Sequence, residues 1–544
     1  MKKNLIHVLL LVILLVGGAM RFYNVNWDSF GGSHPDERNI SWAVTRIHFF
    51  DQLNPKFFAY GGLPIYLYRA LGEMVVGITD DPEWLMGWGH IAVIGRYVSA
   101  TLSTISIFLI FLVGRSLCSP AVGLISAFLL AFSPWAIREA HFATTETMLV
   151  FFILLLLYLS NKHILHNSKF KILLLGVTWG LALAAKTTSL LFGVIPVLAI
   201  WLPNPLKNIR RKLLFTLLLS ATALCFFFIF SPYTILDIVH YRESMVYETG
   251  VALGRFSVPY TLQFLHTTPY LYQIRTMLWL AGPIAIIGLI GLIVMVIQMI
   301  RRFHSKFIIH YSLFIIFPFI YFGWSGSWYA KFARYNVPFL PFITIAAAWL
   351  CTMIIKRFRL TGLAFTAFLL ISTFAWGLAN FSVFIRPQTR MEASEWIYAT
   401  IPGGAQLYTE HWNDGLPVDL PMDKSFNRET LEVYDEDTPT KKLYYADKLA
   451  LGDYIILSTR RIWGTMPNLT EKYPLTSLVY RKLLSGELGY TEVATFTSYP
   501  QLLGWVINDD SAEESVQVFD HPTVRIFQNT EHWTPDEYIE FLTP

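Results

Sequence analysis

The chain has 544 residues, of which 54% are hydrophobic, 16% aromatic and only 15% charged, with a formal net charge of +4. That balance excludes a soluble multidomain protein, and the small net charge gives no reason to expect a nucleic-acid partner. The three cysteines, Cys118, Cys225 and Cys351, lie in or beside apolar runs and none follows Cys351, so the tail has no disulfide framework.

In chain order, Met1-Lys-Lys opens an apolar run at 4–20. It reads as a helix and not as a cleaved signal peptide, because no small-x-small site stands convincingly before Arg21. Further runs near 90–114, 119–135, 147–160, 172–185, 187–202, 213–231, 276–300, 307–323, 336–355 and 360–384 approach or reach the roughly 20 residues that cross a bilayer core. The expected fold class is a polytopic α-helical membrane protein of about eleven transmembrane helices, residues 1–385, followed by an exterior soluble α/β domain, 386–544. In the tail, "AQLYTE", "DYIILS", "EVATFT" and "TVRIF" read as strands, and "RMEASEWIYAT" and "SLVYRKLLSGEL" as helices.

Charge sorts the connections. The loops at Arg115, Lys162–Lys171, Lys207–Lys212, Arg301–Lys306 and Lys356–Arg359, with Lys2 and Lys3, carry Lys and Arg but no acid. They mark the cytoplasmic side, which places the N-terminus inside and the C-terminal domain outside the plasma membrane. The long connections 21–89 and 232–275 and the shorter ones 136–146 and 324–335 then face outward. The inward loops are too short for a nucleotide-binding domain, and no Walker or dinucleotide motif is present. An activated donor must therefore arrive through the bilayer, most simply as a lipid carrying its own leaving group.

The outward face concentrates charge. "GGSHPDERNI", 31–40, sets Asp36 and Glu37 just outside the first span, with Ser33 and Asp36 spaced as a capping box. Arg96 stands two turns into the second helix. Arg138, Glu139, His141 and Glu146 crowd one short connection, where Arg138 and Glu146 share a face if the stretch is helical. Lys186 sits alone at the crest between two short spans, and Lys331, Arg334, Tyr329 and Tyr335 precede a later one. Each has a plainer reading: a capped helix, a snorkelling lysine, an interfacial anchor. Together they supply what transfer from a lipid phosphate needs, a carboxylate to take a hydroxyl proton and cations to neutralise the departing phosphate. In the tail, His411, Trp412, Asn413 and Asp414 read as a polar turn rather than an acceptor contact.

"HPDE" at 34–37, Arg96, "REAHFATTE" at 138–146, "AAKTTS" at 184–189 and "RYNVPFLP" at 334–341 resemble the motifs of GT-C glycosyltransferases. The nearest lineage is that of protein O-mannosyltransferases and lipid A aminoarabinose transferases, and the likeness covers residues 1–385. The resemblance implies an inverting transfer from a polyprenyl-phosphate sugar, undecaprenyl or dolichyl, to a glycolipid, glycan or protein hydroxyl. It implies Asp36 as general base, Glu37 as its neighbour and Glu146 as the second acid. Lys186 and Arg334, with Tyr335 beside them, match positions near the carrier phosphate; Arg96 and Arg138 match more loosely. His34, His141 and Arg255 are candidate acceptor or gating residues. No cofactor is expected to be obligatory; His34, Asp36, Glu37 and His141 include metal-ligating types, but their spacing does not specify a site. The competing reading is a transporter or flippase of lipid-linked sugars, which the sequence disfavours because it shows no duplicated halves.

Overall fold

The computed structural model describes residues 3–166, 168–203, 208–301 and 307–542. Of the charges used above for sidedness, Lys2, Lys207, Arg302 and Lys306 lie outside the described residues. The chain divides into two compact units, residues 1–256 with 267–382, and residues 257–266 with 383–544.

The first unit is almost wholly helical. It runs α1 (Lys3–Phe22), α2 (Pro35–Thr45), α3 (Gly62–Thr79), α4 (Glu83–Met86), α5 (Trp88–Leu117), α6 (Pro120–Ala131), α7 (Pro134–Ala140), α8 (Glu146–His166) and α9 (Lys169–Ala185). A 3-10 turn, Thr187–Gly193, leads into α10 (Val194–Trp201), followed by α11 (Ile209–Phe230), α12 (Tyr233–Leu236), α13 (Ile238–Ala252), α14 (Leu271–Ala281), α15 (Pro283–Arg301) and α16 (Phe307–Ser325). A second 3-10 turn, Ala333–Phe339, precedes α17 (Leu340–Arg357), and α18 (Arg359–Ile385) leads out of the unit.

Among the described residues seven helices are long and apolar enough to cross a membrane, or eight if the bent pair α6–α7 forms one span. The expectation of eleven rests on the shorter α9, α10 with its 3-10 lead-in, and α16. Two predicted runs are interrupted. The run 119–135 ends at Ala131 and resumes at Pro134 after a 58° bend, and 276–300 breaks at Gly282, which has φ +54°. Proline cannot continue a hydrogen-bonded ladder, and a positive φ leaves the helical region.

Packing decides which helices are central. The most apolar window of the stretch Ala333–Arg357, which holds α17, is 78% buried within the protein, that of α11 only 17%, so α17 is a core helix and α11 faces lipid. Without a hydrophobic drive between helices in lipid, close backbone approach supplies the contact. A Cβ on Gly180 of α9 would lie 2.4 Å from Ala223 O of α11, and one on Gly291 of α15 would lie 2.5 Å from Ala346 O of α17. At the α6–α7 break the buried carbonyls that end α6 find a donor in Arg21. Its buried guanidinium bonds Leu130 O at 3.0 Å, Ala131 O at 2.9 Å and Ser103 Oγ at 2.7 Å.

The second unit holds α19 (Thr389–Thr400), β1 (Gln406–Glu410), β2 (Asn427–Leu431), α20 (Pro439–Leu451), β3 (Tyr454–Leu457), α21 (Arg460–Trp463), α22 (Pro474–Ser485), β4 (Tyr490–Phe496), the hairpin β5 (Gln501–Leu502) and β6 (Trp505–Val506), β7 (Val524–Asn529) and α23 (Pro535–Phe541). Five strands form one sheet in the order β2-β1-β3-β7-β4, parallel from β2 to β3 and antiparallel from β3 to β4. Its two faces bury separate cores, one around Tyr408, Tyr445, Tyr490 and Tyr538, the other around Ile397, Leu407, Ile456 and Ile526. The strand and helix segments read from the sequence are present; the structure adds β2, α20, α21, α23 and the β5–β6 hairpin.

Candidate active site

The first loop begins where α1 ends and folds back over α5. Helix α2 starts at Pro35, and its N-cap is His34, whose Nδ1 accepts from Asp36 N at 3.2 Å. This replaces the expected Ser33–Asp36 capping box. The ring must be unprotonated to accept, and burial, then the nearby arginines, holds its pKa well below the usual histidine value. The cap directs Asp36 and Glu37 out of the first turn of α2, where the helix dipole favours acids. From there the two carboxylates part.

Glu37 turns inward. Arg96 of α5 binds it through Nε to Oε1 at 2.9 Å and Nη2 to Oε2 at 2.6 Å, and binds Asp28 at 2.7 and 2.9 Å. All three side chains are 0% exposed. One guanidinium facing two carboxylates leaves an excess negative charge, which backbone donors offset: Ala143 N to Glu37 at 2.6 Å and Ser33 N to Asp28 at 2.9 Å. The pair is unequal. Burial raises both acids, but Arg96 overcomes it at Asp28, whose pKa falls below the ordinary value, and not at Glu37, whose pKa stays above. The cluster is a sealed clamp between the first loop, α5 and the α7–α8 turn. Arg96, expected near a phosphate, is turned away from any open surface because its charge is already matched.

Asp36 turns the other way and pairs with Arg334, which arrives from the 3-10 turn before α17. These side chains are 16% and 24% exposed, so this pair is open where the clamp is closed. Beside it Lys186, in extended conformation at the end of α9, binds Glu146 of α8 at 2.7 Å. Tyr60 connects the pairs: its ring centroid is 5.3 Å from Lys186 Nζ, and its hydroxyl lies in the fields of Asp36, Arg334 and Glu146. Tyr335 flanks Arg334, its ring 5.8 Å from the guanidinium carbon, and its carbonyl accepts from Tyr321 Oη at 2.9 Å. Lys331 turns to Tyr329 O at 2.7 Å.

Other expected residues stand apart. Residues 138 and 146 do not share a helix, because α7 ends at Ala140 and α8 begins at Glu146. Arg138 lies against Glu139 at 3.7 Å and over the Phe142 ring. His141 sits between two carbonyls, Ile137 O at 2.8 Å and Tyr23 O at 3.0 Å; burial pulls its pKa to about 4, so the neutral ring donates its one N–H to one of them. Arg255 is exposed in the turn after α13 and its backbone bonds Gly250 O. Among the described residues no group of three or more His, Cys, Asp or Glu is placed to hold a metal ion. The donor set His34, Asp36, Glu37 and His141 does not converge, since Glu37 is committed to Arg96 and His141 to backbone. In the tail, Asn413 ties Glu410 at 2.9 Å to Thr459, and Asp414 meets Arg390 at 3.1 Å, which makes the "HWND" segment a turn linking strand ends.

Three members were not read from the sequence: Asp28, Tyr60 and Glu248. Glu248 lies on α13 within the fields of Arg334, Asp36 and Lys186. Helical spacing would have found it. Tyr241, Met245 and Glu248 follow i, i+4, i+7, and on that face Tyr241 meets Phe58 edge-on while Met245 accepts from Thr187.

The sequence signature of the dolichyl-phosphate-mannose-protein mannosyltransferase family matches residues 88–235. Among solved structures, the oligosaccharyltransferase of Archaeoglobus fulgidus tethered to an acceptor peptide is similar, with a TM-score of 0.57 at 11% identity over 97% of this chain and 89% of that one. The archaeal oligosaccharyltransferase AglB from Archaeoglobus fulgidus, in complex with an inhibitory peptide and a dolichol-phosphate, gives 0.53 at 12% identity, covering 93% and 75%. ArnT from Cupriavidus metallidurans gives 0.46 at 11% identity, covering 86% and 95%. No curated protein matches the sequence. The chain has the GT-C glycosyltransferase fold: a multi-pass helical membrane module followed by a small β-sheet domain.

Proposed function

We propose that this chain is an inverting glycosyltransferase that moves a sugar from a polyprenyl-phosphate donor to an acceptor hydroxyl at the outer face of the membrane. One observation carries the reading. A partly exposed carboxylate, Asp36, stands against a partly exposed arginine, Arg334, with Lys186 next to them, in a chain with the GT-C fold. Asp36 takes the proton of the acceptor hydroxyl. The acceptor oxygen bonds the anomeric carbon from one side as the carbon–phosphate oxygen bond breaks on the other. The electron pair leaves on the phosphate, which Arg334 and Lys186 neutralise. Arginine suits a phosphate because its fork matches two oxygens. Glu146 holds Lys186 in place, and the Arg96 clamp fixes the root of α2 so that Asp36 points outward.

The positive loops support an inward N-terminus and an outward site. The similar structure in complex with a dolichol-phosphate supports a lipid-linked donor, and the one tethered to an acceptor peptide supports a separate acceptor. The test is release of free polyprenyl phosphate by full-length protein in nanodiscs, from a panel of polyprenyl-phosphate sugars with a membrane extract as acceptor source. Release by the native chain and a loss of about 10²–10⁴-fold in Asp36→Asn are expected. Transbilayer movement of the lipids without cleavage would overturn the reading.

A further inference from the structure

The β5–β6 hairpin of the second unit has an unusual tip. Gln501 pairs with Val506 and Leu502 with Trp505, leaving a two-residue loop, Leu503-Gly504. Both loop residues have positive φ, +51° and +84°. Such a turn favours Asn-Gly, because a side chain other than a short polar one is disfavoured in the left-handed region. Here the first position holds leucine. Leu503 is 93% exposed, Trp505 80% and Val506 59%, so a strained turn holds three large apolar side chains out in the open. No Asp, Glu, Lys or Arg occurs from Val493 to Asn508.

The root of the hairpin shows what lies beside it. Arg386 is the first residue after α18, and its guanidinium donates to Ser498 O at 3.1 Å and Tyr499 O at 2.6 Å. Thr389 donates to Pro522 O at 2.6 Å, and Tyr499 Oη to Asp510 at 2.7 Å. Ile507 N closes the ladder on Pro500 O. The strand that leads into the hairpin is thus fastened to the point where the last membrane helix ends. At about 3.3 Å per residue, Leu503 lies no more than roughly 13 Å along the chain from Tyr499. An apolar, uncharged finger tipped with leucine and tryptophan, rooted at a span's end, matches the interfacial layer of a bilayer, where tryptophan concentrates.

We infer that the hairpin seats the exterior domain on the membrane by inserting Leu503, Trp505 and Val506 into the interface of the bilayer that holds α18. The inference stands apart from the catalytic reading. It is tested on full-length protein in nanodiscs, with Leu503→Cys placed in a background lacking Cys118, Cys225 and Cys351 and labelled with an environment-sensitive fluorophore. The control is Glu531→Cys, exposed beyond the far end of β7 from the Phe496–Val524 pair that precedes the hairpin. The expected result is a blue shift at 503, with loss of emission when the lipid carries a nitroxide near its headgroup, and neither at 531. Water-like, unquenched emission at 503 overturns it. So does a blue shift without lipid quenching, which would mean a protein partner or a second copy. A photoreactive residue at 503 in the native chain decides independently: a lipid adduct supports the inference and a protein adduct overturns it.

Discussion

Asp36 and Glu37 are neighbours in sequence and share one cap, yet they are predicted to fail in different ways. Glu37→Gln leaves Arg96 buried with a single carboxylate, and breaking a buried pair costs about 3–5 kcal/mol. Its thermal unfolding in detergent should shift well below the native value. Asp36→Asn, at a partly exposed pair, should unfold within a degree or two of native while losing turnover. If the two melt alike, the division into clamp and reacting group is wrong. On the proposed reading, Lys186→Ala removes a cation from the phosphate side. The donor KM should rise about tenfold or more, in line with a lost charged hydrogen bond, with the acceptor KM unchanged. An unaltered donor KM and turnover would remove Lys186 from the donor site.

At the scale of elements, the cluster depends on how the first loop meets α9. Gly61 N donates to Ala185 O at 3.0 Å, and a Cβ at Gly61 would lie 1.9 Å from Ala184 O. No side chain fits, so Gly61→Ala must move the loop that carries Tyr60 off the end of α9 that carries Lys186. A displacement of that order is predicted to cost about 10²-fold in kcat/KM, and Gly77→Ala, which meets nothing within 4 Å, serves as the control. Equal activity of the two would show that this seam does not hold the site. The helices themselves were legible, because long apolar runs and Lys-rich loops are read without knowing any contact. So were the residue types at the site. What was not legible was the partner of each charge. Arg96 and Arg334 are both arginines near apolar runs, and only the fold sends one to Asp28 and Glu37 and the other to Asp36. Glu248 is hidden for a different reason: α13 carries a mixed polar and apolar sequence between two spans, so its 3.6-residue face stands out only once the helix is seen.

For the whole molecule, the β-sheet domain should have its own response to pH. Burial pushes Glu410 up to about 7 despite Tyr480 and Asn413. Burial lowers His521, but Asp509 and Asp520 overcome it and raise it to about 9. In both cases the folded value exceeds the ordinary one, so each contribution is complete below the ordinary pKa and lost as pH rises through the folded one. The windows run from about 4.5 to 7 for Glu410 and from about 6.5 to 9 for His521. Hydrogen exchange of the full chain in nanodiscs, corrected for intrinsic rates, should show protection of β1 and β7 falling across this range. Glu410→Gln should flatten the lower half and His521→Asn the upper. A flat profile in the native chain would contradict both assignments.

The contact between Asp36 and Arg334 joins residues 298 positions apart, and under the proposed mechanism it sets an order of events. While the two hold each other, a hydroxyl that arrives alone finds no vacant proton acceptor. A phosphate that takes over Arg334 releases the carboxylate, so the first substrate unlocks the enzyme for the second. Initial-rate kinetics should then follow a compulsory sequence, donor before acceptor, with the spent lipid phosphate competing against donor alone. Random entry of the two substrates would mean that the pair opens without help.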